Sequence, residues 1–67
     1  MSIEKMTKDE LKNLYNNVRE LEKLCDNACE KALASGDMSE VDRLEDMLHQ
    51  LIKFAGVINV RIENYRY

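Results

Sequence analysis

Apolar residues recur through the first half of the chain at Leu11, Leu14, Val18, Leu21, Cys25, Ala28 and Ala32, stepping alternately by three and four. In the second half Leu44, Leu48, Leu51, Ala55, Ile58, Ile62 and Tyr65 step by four and three. That spacing keeps one stripe of a helix apolar throughout, as in helices packed side by side. It predicts two long helices, at about 7–35 and 39–65. No proline interrupts either stretch. Thr7 with Glu10 three residues later forms a capping box, and Met6 before it pairs with Leu11 as a hydrophobic staple. Gly36 supplies the left-handed residue that ends the first helix. Ser39 is expected to cap the second, with Glu40 and Asp42 in its first turn. Residues 1–5 are expected to fray.

A turn at 34–38 forces the helices antiparallel. Centring the hairpin near Met38 pairs Leu21 with Ala55, Cys25 with Leu51, Ala28 with Leu48 and Ala32 with Leu44. Each of these layers sets a small residue against a leucine, as close packing requires. The fold class expected is therefore all-α: one antiparallel, coiled-coil-like helical hairpin spanning residues 1–67. The segment 57–63 has a second reading. Val57, Ile58, Val60 and Ile62 are β-branched and follow Gly56, a strand signature. A strand there needs a partner strand from another chain, whereas the helical stripe runs on through Ile58, Ile62 and Tyr65.

Several large apolar residues fall outside the stripe. Leu24, Met47 and Phe54 flank it on one side, and Tyr15, Cys29, Leu33 and Ile52 on the other, with Val57 and Val60 farther out. At 67 residues the chain is below the roughly 70–80 at which a single core is adequate unaided. The leftover stripes predict association through Leu24, Met47 and Phe54, or through Tyr15, Leu33 and Ile52. A protein partner or a second copy would complete the hairpin.

Charge and chemistry narrow the function classes. Ten basic and thirteen acidic residues leave −3, with no basic stripe for nucleic acid. The acids cluster at Asp37, Glu40, Asp42, Glu45 and Asp46, a tip that could steer a basic partner. The tail Asn64-Tyr65-Arg66-Tyr67 has an aromatic–basic texture compatible with base stacking, but stands alone on an acidic chain. The charged start does not suit a signal peptide and no apolar run suits a membrane span. A cytoplasmic location with reduced cysteines is expected. Cys25 and Cys29 are the only cysteines and His49 the only histidine. A zinc site needs two ligands beyond the cysteines, so they read as small packing groups, with no metal and no cofactor. No nucleophile–histidine constellation can be assembled, and a non-enzyme is expected.

The turn Ala32-Leu33-Ala34-Ser35-Gly36-Asp37, the run Val57-Ile58-Asn59-Val60 and the end Tyr65-Arg66-Tyr67 resemble the small co-chaperones of type III secretion needle subunits. Members often carry a Gln-Tyr pair soon after the turn, where this chain has Ser39-Glu40-Val41-Asp42. The resemblance implies a hairpin bound to a helical-repeat chaperone, the pair covering a needle subunit so that it does not polymerise in the cytosol. A looser likeness, Glu40-Val41 through Leu44, Leu48, Leu51 and Ile52, is to the second helix of small sporulation phosphatases. Glu45, Asp46 and His49 stand where those need other residues, so that activity does not carry over. The rival expectation is a homo-oligomeric hairpin, a four-helix bundle. It would act as a small regulator, such as a plasmid or phage protein modulating a host factor.

Overall fold

A computed structural model describes residues 3–65, the side chain of Glu4 excepted. A short 3-10 turn at Ile3–Lys5 leads into α1, Lys8–Ser35, and α2, Met38–Glu63. The two helices pack antiparallel along a body of 50 × 19 × 14 Å. Among the described residues there is no strand. α2 runs unbroken through Gly56 to its cap at Asn64, so 57–63 is helical and the extended alternative is excluded. Of the terminal aromatic–basic tail, Arg66 and Tyr67 lie outside the described residues.

The ends of α1 are closed as expected. The Thr7 hydroxyl accepts from Glu10 N–H at 3.2 Å, and the Glu10 carboxylate accepts from Thr7 N–H at 2.9 Å. Gly36 sits at φ 79°. Asp37 N–H reaches Ala32 C=O at 3.0 Å, and Gly36 N–H reaches Leu33 C=O at 3.1 Å. Those two bonds satisfy carbonyls that the helix end would otherwise orphan, in the Schellman arrangement. The start of α2 differs from expectation. Asp37, not Ser39, is the cap, and its carboxylate accepts from Glu40 N–H at 3.2 Å. A carboxylate at this site also offsets the positive helix end. Only Gly36 and Asp37 then lie between the helices.

That tight turn resets the register. Facing positions add to 73, the sum of the helix ends Ser35 and Met38, and not to the 76 of a hairpin centred at Met38. The buried and half-buried stripe on α1 is Leu11, Tyr15, Val18, Glu22, Cys25, Cys29 and Ala32. On α2 it is Val41, Leu44, Leu48, Leu51, Ala55, Ile58 and Ile62. Leu14 and Ala28 are half-buried at its edge, whereas Leu21 is 50% exposed beside a Glu22 only 8% exposed. The Cys25 thiol confirms the phase. It donates to Leu44 C=O at 3.1 Å, and a helix carbonyl points towards the residue four on, here Leu48, the position facing Cys25.

Of residues 1–5, where fraying is expected, Met1 and Ser2 lie outside the described residues, and Ile3 packs against the core together with Met6 and Tyr65. These side chains cover the open end of the hairpin, where Leu11 and Ile58 are almost wholly buried. Full burial of an isoleucine is worth about 1.5–3 kcal/mol, and the half-buried Ile3 contributes a part of that.

Candidate functional site

The hairpin has two unlike sides. At 100° per residue, the positions flanking the packed stripe on one side are Leu14, Leu21 and Ala28 on α1, and Met47 and Phe54 on α2. Leu24 and Val57 form the outer edges of that side. In space Leu21, Met47, Gln50, Leu51 and Phe54 line one shallow groove of about 510 Å³. Leu21, Leu24, Met47, Phe54 and Val57 are each between 43% and 63% exposed. A further groove round the back of α2 is lined by Lys53, Gly56, Val57, Val60 and Arg61, of which Val57 and Arg61 stand nearest the Met47–Phe54 column at 100° per residue.

The opposite side is polar. Arg19, Glu22, Lys23, Asp26 and Leu48 line its groove. Arg19 spans both oxygens of the Glu22 carboxylate, at 3.1 and 3.4 Å. Glu22 thus lies across the packed stripe with its charge matched by a half-exposed guanidinium. Burying a carboxylate is tolerable only when it is paired in this way.

The residues singled out from sequence divide accordingly. Met47 and Phe54 come together, with Leu24 on the same side. Tyr15, Leu33 and Ile52 do not form a second surface. Tyr15 is half-buried against the core. Leu33 and Ile52 are exposed, but stand about 18 Å apart along the polar side, twelve residues of helix at the usual rise. Cys29, placed on that flank from sequence, is buried in the packed stripe with Ala32 and Val41. The residue missed was Leu21. Its place in an apolar run assigned it to the helix–helix contact. The signal available was Leu24 one turn on, which extends the same apolar column away from the contact.

Chemistry is sparse. Cys25 and Cys29 are free thiols. Burial pushes the Cys29 thiol up, and the nearby carboxylates of Glu45 and Asp26 push it the same way. It is held as a protonated thiol, a poor nucleophile. Among the described residues no three His, Cys, Asp or Glu side chains gather as a metal site, and no helix is long and apolar enough to cross a membrane. The chain matches no protein-family model, no curated protein and no solved structure.

Proposed function

We propose that this chain is a non-enzymatic protein-interaction module whose working surface is the apolar side of the hairpin, centred on Leu21, Met47 and Phe54. The observation that carries this reading is the asymmetry between the sides. Leu21, Met47 and Phe54, each about half exposed, line one groove with Leu24 on the same side, while the groove on the other side is lined mainly by charged residues, Arg19, Glu22, Lys23 and Asp26. A contiguous apolar area of this kind on a small chain is the mark of an interaction surface. A hairpin offers it to another pair of helices. Needle-subunit co-chaperoning, the narrower role implied by the turn and tail residues, would present this same side to a helical partner. A cytoplasmic location, with both thiols reduced, belongs to the same reading.

Phe54 is the natural anchor, because large aromatic side chains dominate interface energetics. Co-purification on a tagged chain, with an untagged copy co-expressed, tests the proposal. Phe54→Asp is expected to release what the wild type retains, with at least a roughly ten-fold loss of affinity. Helicity should persist, since Phe54 lies outside the packed stripe. Ile52→Asp, two residues away on the polar side, should bind as the wild type does. Equal retention by the wild type and Phe54→Asp, or retention of nothing by either, overturns the reading.

A further inference from the structure

Along the hairpin axis, the exposed apolar residues at the centre of this side fall in pairs about one midpoint. Leu21 and Leu24 on α1 straddle a level about 14 residues, or roughly 21 Å, from the turn. Met47 and Phe54 on α2 straddle the same level. Glu40 and Arg61 sit at equal distances beyond it, with opposite charges at the two ends of the column. Arg61 makes no ion pair among the described residues, and Glu40 pairs only with its neighbour Arg43. A surface that matches itself when turned end over end is what a two-fold interface requires.

We propose that the partner of this face is a second copy of the chain, the two hairpins packing antiparallel about a two-fold axis through that midpoint. The proposal rests on the interaction-module reading and names its partner. Leu21 meets Leu24 of the second copy, Met47 meets Phe54, and Glu40 meets Arg61, each contact made twice. The product is a four-helix bundle.

Charge decides the direction. An axis along the hairpins would set the acidic turns of both copies side by side, with Asp37, Glu40, Asp42, Glu45 and Asp46 of each offset only by Arg43. The antiparallel arrangement moves them roughly 40 Å apart, several screening lengths.

Light scattering and sedimentation equilibrium at low salt test this. The wild type is expected at twice 7.9 kDa. Arg61→Glu sets a carboxylate against Glu40 of the second copy and should raise the dimer Kd about ten-fold. Glu40→Arg with Arg61→Glu reverses both partners and should return Kd to within about three-fold of wild type. Circular dichroism confirms that each variant is helical. A wild type still monomeric at about 100 µM overturns the second copy, and an Arg61→Glu dimer as tight as wild type, or no rescue in the double variant, overturns the antiparallel arrangement. A monomer that nevertheless retains another protein through Phe54 loses this proposal and keeps the module. If neither mass nor retained protein depends on Phe54, both fall.

Discussion

The two halves of the hairpin are held by different means. In the open half Leu11, Val18, Ala55 and Ile58 form a cluster backed by Ile3, Met6, Tyr15, Leu51, Ile62 and Tyr65. In the turn half the buried residues are Cys29, Ala32 and Val41, with Leu44 beside them. The open half is joined by side-chain volume. The turn half is joined by backbone, through the Gly36 bonds and the Asp37 cap, and its small residues let the helices approach. Between them lie Glu22 and Cys25, a stretch in which polar groups occupy the packed stripe.

The sharpest way to break this contrast is to remove volume from each half. Ile58 is 0% exposed and Val41 2%. Ile58→Ala should cost about 3–4 kcal/mol, and Val41→Ala about 1–2. A small core rarely supplies more than about 3–5 kcal/mol, so Ile58→Ala should leave the monomer largely unfolded in a thermal melt followed by circular dichroism. Equal losses in the two variants would show that the halves are equivalent after all.

Most of what holds the halves was legible in the residues. The Thr7–Glu10 box, the Gly36 stop, the α2 stripe from Leu44 to Ile62 and the α1 positions Leu11, Val18, Cys25 and Ala32 all stand where the spacing put them. What was not legible was the phase of α1. The columns Leu14–Leu21–Ala28 and Tyr15–Glu22–Cys29 both fit a three-four repeat, and apolarity alone prefers the one without a carboxylate. The choice is made by the turn. Capping at Asp37 starts α2 early and brings Val41 opposite Ala32, which turns the second column inward. Leu21 is thereby left on the surface. The candidate site was half-read for the same reason: Met47 and Phe54 were found, and their neighbour across the groove was spent on the core.

The middle of the molecule sharpens the comparison next. Glu22 faces Leu51 across the stripe, and among the described residues its charge is met only by Arg19 on the same helix. Replacing a buried ionic group by an apolar one of similar size is often neutral or stabilising by about 1–4 kcal/mol. Arg19 is 54% exposed at its side chain, so it stays hydrated when its partner is lost. Glu22→Leu should therefore raise the melting temperature, at the lower end of that range, and join the two clusters into one. A lower melting temperature would show that the Arg19 pair is itself what holds the centre.

The smallest effect expected belongs to the turn half and to pH. Burial, reinforced by Glu45 and Asp26, raises the Cys29 thiol above its ordinary value. In the unfolded chain the same thiol ionises near its usual pKa of about 8.5. With the folded pKa above the unfolded one, the contribution of Cys29 is complete below that value and is lost as pH rises through the folded pKa. Cys29→Ala carries no such group. The gap in melting temperature between wild type and Cys29→Ala should therefore be constant from neutral pH to about 8, then narrow as the solution becomes alkaline. A gap that stays constant well above the ordinary thiol pKa would mean that Cys29 is not shielded in the folded hairpin, and that the turn half is more open than its packing implies.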